Sequence, residues 1–298
     1  MGVWKTEGII PAMITPMDDQ EQINEAAIRY MVNRFIAAGV HGLFCLGTNG
    51  EFFSLSVEEK LRVAEIVIDE AAGRLPVYVG AGCASTAETI KLARQLEAAG
   101  ADALSVITPY FLSYTQHELF YHYESLAEAT KLPIVLYNIP ARTSNALQPK
   151  TVAKLASLPN VVGIKDSSGS YDMILQYIEQ TPASFSVLAG TDSLILSTLM
   201  AGGRGAIAST ANIFPEQVVA IYECWQKGDY SGAEEAQRVL RAIRNAFQLG
   251  TLPSVLKAFA NKIGLPAGPA RKPVLALTPE AERELQLVYE QYENQGLL

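Results

Sequence analysis

The stretch AAGVHGLFCLG, residues 37–47, has the pattern of a helix end followed by a buried β-strand. Gly39 can take the left-handed conformation that ends a helix, and the apolar run after it fits a strand that is covered on both faces. Two further segments repeat this order, AAGADALSVITP (98–109) and MAGGRGAIAST (200–210). The repetition predicts helices and parallel strands that alternate along the chain.

A second recurring phrase marks strands by a proline at their start, in LPVYVGAG (75–82), LPIVLYNIP (132–140) and LPNVVGIKD (158–166). With GIIPAMITP (8–16) and SFSVLAGTD (184–192), eight strands are predicted. Amphipathic segments of helical length are predicted at about 23–38, 57–73, 85–99, 115–130, 149–157, 171–180, 193–201 and 215–227.

Eight strands alternating with eight helices predict the α/β fold class, in the form of a (β/α)8 TIM barrel. Residues 1–228 complete this barrel, and we expect the barrel to carry the active site. Residues 229–298 show helical patterns without strands, at about 231–248, 253–264 and 279–294, and they predict a C-terminal helical extension. A doubly wound open sheet is the alternative, but no GxGxxG motif follows the first strand.

Composition argues against several classes of partner. The 298-residue chain is 49% apolar, carries a formal net charge of −8 and has no run of Lys or Arg, so we expect neither nucleic acid nor a membrane as a partner. We expect a cytoplasmic location, because the apolar runs are short and the start of the sequence lacks a secretory signal pattern. The spacing of the three histidines and three cysteines matches no metal motif, so we expect no metal site.

Lys165 is the candidate nucleophile, in the stretch NVVGIKDSSG (160–169). If Val162 and Ile164 pack outward on helices, the alternation of a strand points Gly163 and Lys165 into the barrel, with Gly163 leaving room beneath the lysine. Lys165 then lies at the carboxyl end of strand six, the rim where barrel enzymes carry out their chemistry. Partial burial favours the neutral amine, which attacks a ketone to form a Schiff base. A strand-end lysine turned to solvent is the alternative.

Two other strand ends place polar groups at the same rim. Tyr137 ends strand five, next to Lys165 on the adjacent strand, and its hydroxyl can both donate and accept a proton. The turn LGTNGE (46–51) follows strand two, where Thr48 offers a hydroxyl and consecutive backbone N–H groups can hold a carboxylate. Each signal alone also fits ordinary packing or a plain loop. Their agreement at one rim predicts an active site.

Four motifs, in this order and at these spacings, resemble the dihydrodipicolinate synthase and N-acetylneuraminate lyase family of class I aldolases. They are GTNGE (47–51), YNIPARTS (137–144), GIKDSSG (163–169) and LAGTD (188–192). The resemblance extends over essentially the whole chain, including the helical tail. It implies a TIM-barrel enzyme that makes or breaks a C–C bond next to a 2-keto acid such as pyruvate, without a metal or cofactor.

The resemblance also implies roles for individual residues. Lys165 forms the Schiff base, Tyr137 relays protons and Thr48 orients Tyr137. The remaining implied substrate-binding positions are the backbone amides of Thr48 and Asn49 for the keto-acid carboxylate, Arg142 for the carboxylate of an acidic aldehyde, and Gly190 and Ile207 as pocket lining. An exposed arginine in a surface loop is the alternative for Arg142.

Departures from the family pattern bear on the substrate. Synthases of the family usually have a second threonine where this chain has Asn49, and a relay tyrosine from the dimer partner where it has Phe111. Tyr110 or Tyr114 is a candidate source of the missing hydroxyl. These departures favour an aldolase for a 2-keto-3-deoxy sugar acid or 4-hydroxy-2-oxoglutarate. The alternative is a dihydrodipicolinate synthase, which condenses pyruvate with aspartate semialdehyde.

Three other readings stay open at this point: an N-acetylneuraminate lyase, a non-catalytic keto-acid sensor, and a phosphate-binding barrel suggested by AGGRG (201–205). That run precedes strand eight, at the rim opposite the predicted site, and a helix end explains it better. The resemblance further implies a homotetramer built from tight dimers, with its close contact at residues 108–114.

Overall fold

A computed structural model of the protein describes residues 4–298, and the predicted barrel is confirmed. The eight parallel strands are β1 (Gly8–Pro11), β2 (Leu43–Cys45), β3 (Val77–Gly80), β4 (Ala103–Ile107), β5 (Ile134–Asn138), β6 (Val161–Asp166), β7 (Ser186–Ala189) and β8 (Gly205–Ala208). They pair in the order β1-β8-β7-β6-β5-β4-β3-β2. A parallel bridge between Ala12 and Phe44 joins β1 to β2, so the sheet closes on itself.

The helices lie where the amphipathic segments predict them, except for one additional short helix directly after β5. The barrel helices are α1 (Glu25–Ala37), α2 (Val57–Ala71), α3 (Thr86–Ala98), α4 (Gln116–Ala129), α5 (Pro140–Thr143), α6 (Pro149–Leu155), α7 (Tyr171–Gln180), α8 (Ile195–Met200) and α9 (Pro215–Gln226). The extension comprises α10 (Tyr230–Val239), α11 (Arg241–Ala246), α12 (Ser254–Lys262) and α13 (Pro279–Asn294). The predicted segment 231–248 is therefore two helices that meet at Leu240. None of the helices described in residues 4–298 is long and apolar enough to cross a bilayer.

Local sequence fixes where the helices begin. Ser56 caps α2 and exchanges hydrogen bonds with Glu59, and Thr115 and Glu118 form the same capping box at α4. Each box satisfies backbone N–H groups that the first helical turn leaves free. The helices therefore start at defined points after their strands.

The inside of the barrel is filled by one small apolar cluster, formed by Ile10, Ala12, Phe44, Tyr78, Ala103, Val135, Leu188 and Ile207. Val162 packs against this inner cluster, so its predicted outward orientation is wrong. The cause is a register shift between β5 and β6 at Ile134/Val135, which pairs Val135 with Gly163 and leaves Val162 unpaired. Ile164 does belong to the outer core under the helices.

Gly163 meets a requirement that the sequence does not show. A Cβ at this position would lie 2.6 Å from the carbonyl oxygen of Ser186 on β7. Glycine is therefore also needed so that β6 and β7 can approach each other.

Candidate active site

Tyr137 and Lys165 form the centre of the site. They are cross-strand partners at the carboxyl ends of β5 and β6. Lys165 is only 4% exposed, and its Nζ lies 4.0 Å from the centre of the Tyr137 ring and 5.2 Å from that of Phe44. The lysine therefore points into the mouth of the barrel, and the solvent-facing alternative is wrong. None of the acidic groups in residues 4–298 forms an ion pair with it.

A buried polar cluster lies directly behind this pair, on the outer face of the same two strands. Asn138 lies opposite Asp166 and donates from Nδ2 to Asp166 Oδ1 at 2.7 Å and to Tyr177 Oη at 3.2 Å. Ser168 Oγ donates to Asp166 Oδ2 at 2.6 Å. Burial raises the pKa of the Asp166 carboxyl, and these hydrogen bonds partly oppose that effect. The cluster ties the ends of β5 and β6 together; three of its residues lie within the motifs YNIPARTS and GIKDSSG, but the sequence indicated no role for them.

The turn after β2 reaches over the same rim. Leu46 and Glu51 have φ angles of 59° and 56°, left-handed values that are uncommon for residues other than glycine. Between them, Thr48 Oγ1 lies 3.2 Å from Tyr137 Oη, a hydrogen bond that either hydroxyl can donate. The backbone N–H groups of Thr48 and Asn49 donate to no acceptor among residues 4–298. Two adjacent free donors are the geometry that a carboxylate requires.

The Asn49 side chain is occupied within the protein. Its Nδ2 donates to the carbonyl oxygen of Ala12 at 3.3 Å and to Ser209 Oγ at 2.8 Å, and the residue is 5% exposed. Asn49 therefore fixes the turn against β1 and β8.

A buried ion pair holds the turn from the side of the extension. Lys257 Nζ on α12 lies 2.6 Å from Glu51 Oε1, and these side chains are 1% and 0% exposed. Lys257 also donates to the carbonyl oxygen of Pro269 at 2.7 Å, and the backbone N–H of Arg271 donates to Glu51 Oε2 at 2.8 Å. Burial lowers the pKa of Lys257, which the Glu51 charge partly offsets. The left-handed Glu51 is thus secured by residues more than 200 positions away.

The rim encloses a cavity of about 740 Å³. Six of the predicted site residues line it: Thr48, Asn49, Tyr137, Arg142, Lys165 and Gly190. Glycine is required at Gly190, because a Cβ there would lie 2.2 Å from Ser167 Oγ and 2.8 Å from the carbonyl oxygen of Asp166.

Two predicted substrate-binding residues lie elsewhere. Ile207 is fully buried in the inner cluster of the barrel, beneath the cavity, because its position on β8 is one layer below the rim. Tyr110 is half-buried, with its ring 6.1 Å from that of Phe52, and it does not line the cavity in the single chain. Burial raises the pKa of the Tyr110 hydroxyl.

The extension forms one wall of this cavity, in addition to the barrel residues that the sequence points to. The lining residues from the extension are Glu234, Gln237, Leu240, Arg241, Arg244, Asn245, Phe247, Gln248 and Leu252. Gln237 secures the contact, since its Nε2 donates to the carbonyl oxygen of Asp192 at 3.0 Å and its Oε1 accepts from the N–H of Leu196 at 3.1 Å. Sequence patterns showed helices in this region but not which edge of the barrel they cover.

The acidic groups of the cavity are engaged by the protein itself. Asp192 is 2% exposed and accepts from the N–H groups of Ser209 and Thr210 at 3.1 and 2.6 Å, while Glu234 pairs with Arg241. Across residues 4–298, no three side chains of His, Cys, Asp or Glu are grouped so that they could hold a metal ion.

A lysine held in a barrel mouth against a hydroxyl pair and a free amide pair defines the class of Schiff-base barrel enzymes. Comparison with known proteins gives the family. Residues 5–292 match the model of the dihydrodipicolinate synthetase family, and the chain belongs to this family of class I aldolases.

Individual relatives agree over nearly the full length. The 4-hydroxy-tetrahydrodipicolinate synthase of Methanopyrus kandleri is 42% identical over 297 residues, which cover 99% of this chain and 98% of the relative. The crystal structure of dihydrodipicolinate synthase from Thermotoga maritima matches with a TM-score of 0.94 and 32% identity, over 99% of this chain and all of the other. The prophage protein YagE from E. coli K12, a family member solved with pyruvate, matches with a TM-score of 0.92 and 33% identity, over 96% of this chain and 98% of YagE.

Proposed function

We propose that the protein is a 4-hydroxy-tetrahydrodipicolinate synthase, which condenses pyruvate with aspartate semialdehyde. The observation that carries this proposal is Lys165, buried without an acidic partner beside the Tyr137–Thr48 hydroxyl pair. The choice of reaction rests on the relatives, which carry the synthase name. They favour the synthase over the sugar-acid or 4-hydroxy-2-oxoglutarate aldolase that Asn49 and Phe111 suggest.

The reaction begins at Lys165. Its neutral amine attacks the keto carbon of pyruvate, and loss of one water gives the imine. The pyruvate carboxylate accepts hydrogen bonds from the free N–H groups of Thr48 and Asn49, and YagE, solved with pyruvate, provides a precedent for this ligand in the family. Water and protons must move during these steps, and the Tyr137 hydroxyl, on the strand next to Lys165, can both give and take a proton.

Carbon–carbon bond formation follows from the imine. Removal of a proton from the pyruvate methyl group gives an enamine, whose carbon attacks the aldehyde carbon of aspartate semialdehyde, and the aldehyde oxygen takes up a proton. The amino group of the same molecule then attacks the imine carbon, which closes the ring and releases the Lys165 amine. Arg142 lines the cavity without an ion pair and is the residue for the carboxylate of the aldehyde.

A direct comparison of substrates tests the proposal. Purified protein should consume aspartate semialdehyde together with pyruvate and yield the cyclic product, measured by mass spectrometry. It should release pyruvate from 2-keto-3-deoxygluconate, 4-hydroxy-2-oxoglutarate or N-acetylneuraminate far more slowly. Rapid pyruvate release from one of these acids, without condensation, would assign the aldolase or lyase instead. Imine formation with pyruvate but no turnover with any substrate would leave the sensor.

We also propose the homotetramer of tight dimers for this chain, with the close contact at residues 108–114. Phe111 is 92% exposed, has a left-handed φ of 85° and is followed by Leu112, which is 58% exposed. An aromatic ring held out in this way is typical of a contact surface. Sedimentation should give a tetramer for the wild type and smaller species for Phe111→Asp, and a wild-type monomer would contradict the assembly.

A further inference from the structure

The arginine side chains of this protein fall into two groups. The sequence has twelve arginines, and ten of them use the guanidinium in an ion pair or a hydrogen bond to another residue. Within residues 4–298, Arg142 and Arg244 have neither. Both of these arginines line the active-site cavity. Two free guanidinium groups in one cavity indicate anionic ligands, because a carboxylate supplies the paired hydrogen bonds that they lack.

Arg244 lies on a helix that is fixed by contacts with the rest of the extension. Its guanidinium carbon lies 5.5 Å from the centre of the Phe247 ring, another cavity residue. Its helix, α11, is tied to α13 through Tyr292, whose buried hydroxyl accepts from the N–H of Ile243 at 3.0 Å and donates to the carbonyl oxygen of Val239 at 2.6 Å. The position of the charge is therefore set by the fold, and stacking on Phe247 restricts the side chain further.

The charges around Arg244 leave it without an internal counter-charge. Glu234 pairs with Arg241, and the Asp192 carboxylate accepts two backbone N–H groups on β8's side of the cavity. The cavity lining thus has an excess of positive charge, although the whole chain has a net charge of −8. A concave site with such an excess attracts and retains anions.

We propose that Arg244 is a second anion-binding position of the cavity, on the side formed by the extension, which captures the carboxylate of the acidic aldehyde as it enters, before Arg142 holds the same carboxylate for the reaction. This inference rests on the proposed condensation with an acidic aldehyde and deepens it. Arg142 lies on α5 of the barrel, directly after β5, and Arg244 lies on the extension. Arg244 therefore selects for acidic acceptors and raises their capture, while Lys165 and Tyr137 carry out the chemistry for any acceptor that enters.

The test measures acceptor kinetics in Arg244→Gln with saturating pyruvate. For aspartate semialdehyde, KM should rise about tenfold with little change in kcat, the loss expected for one charge-assisted hydrogen bond. The KM for pyruvate and the yield of the borohydride-trapped imine should stay at wild-type values. Arg244→Lys, which keeps the charge but not the paired donors, should recover part of the loss. Arg244→Met, which keeps the apolar stem on Phe247, should not.

Arg238→Gln is the matched control. Arg238 is an exposed arginine of the same extension, it pairs with Glu235, and it does not line the cavity. Its variant should behave as the wild type. A second readout needs no turnover. Succinate binding, measured by calorimetric titration, should be equal in the wild type and in Arg238→Gln and about tenfold weaker in Arg244→Gln, and added salt should reduce the difference.

The outcomes separate this inference from the proposed function. If the wild type condenses aspartate semialdehyde and Arg244→Gln matches Arg238→Gln in KM and in succinate binding, the role of Arg244 is wrong and the synthase stands. If the wild type fails to condense aspartate semialdehyde, the proposed function is wrong. In that case weaker succinate binding in Arg244→Gln still supports the anion position, and unchanged binding overturns it.

Discussion

The cavity has two sides that are built in different ways. The barrel side presents Lys165 and Tyr137 from adjacent strands, buried and fixed by strand pairing on both sides. The extension side presents Arg244 and Asn245 from a short helix, half-buried or exposed and with side chains that have no protein acceptor within residues 4–298. The difference suggests that the barrel side performs the steps common to the family, whereas the extension side decides which acceptor enters.

Tyr137→Phe should separate the two sides most strongly. Removal of the hydroxyl takes away the proton relay and the hydrogen bond with Thr48, so kcat should fall by about 10²–10⁴-fold. Thr48→Val is the matched variant, since it removes the partner hydroxyl and keeps the shape. It should show a smaller loss. Pre-steady-state and steady-state rates would measure both, and a near-normal kcat in Tyr137→Phe would remove that residue from the mechanism.

Lys257→Met should break the link between the two sides. It leaves the buried Glu51 carboxylate without its ion-pair partner, with only the backbone N–H of Arg271 still donating to it, which should lower the free energy of unfolding by about 3–5 kcal/mol. The KM for pyruvate should rise as well, because the turn that holds Thr48 and Asn49 loses its anchor. Urea unfolding and steady-state kinetics measure these effects.

The double variant Lys257→Met with Glu51→Gln removes the unpaired charge and serves as the control. It should recover part of the lost stability, since the penalty comes from an isolated buried carboxylate. Equal stability of Lys257→Met and the wild type would show that the ion pair does not secure the turn.

His122 is buried but does not line the active-site cavity, so its protonation should affect stability and not activity. Burial lowers the pKa of His122 from 6.5 to about 4, and its Nδ1 lies 3.0 Å from Thr86 Oγ1. Because the folded-state pKa lies below the unfolded value, the unfolded chain binds the proton first, and stability is lost as the pH falls from 6.5 towards 4. By pH 4 the loss should reach about 3 kcal/mol.

His122→Gln removes this proton linkage, so its unfolding free energy should depend less on pH across that range. Denaturant unfolding of both proteins at several pH values measures the slope. Activity at neutral pH should be unchanged in the variant, and parallel pH profiles would exclude His122 as the source.

The two sides also differ in how far the sequence predicts them. The alternation of a strand and the short βα units were enough to place Lys165 and Tyr137 at one rim, because adjacent strand ends must meet there. The same reasoning failed at Val162, where a register shift that leaves no mark in the sequence pattern reverses the orientation. A 3.6-residue period shows which face of a helix is apolar, but it does not show which edge of the barrel that helix covers. Arg244 and Lys257 were missed for this reason.

The substrate was the least predictable feature. Asn49 stands where the family usually has a threonine. Its side-chain amide donates hydrogen bonds to Ala12 and Ser209, so it holds the turn in place. Phe111 points away from the single chain, so its meaning depends on a partner surface. Neither residue by itself indicates which acceptor aldehyde the enzyme uses.

Borohydride reduction in the presence of pyruvate tests the central claim most directly. Peptide mass spectrometry should find the reduced pyruvate adduct on Lys165 in the wild type and in Tyr137→Phe, and no adduct in Lys165→Ala, whose fold is checked by circular dichroism. An adduct on a different lysine, or active enzyme that yields no adduct at all, would contradict the assignment of Lys165 as the residue that forms the imine.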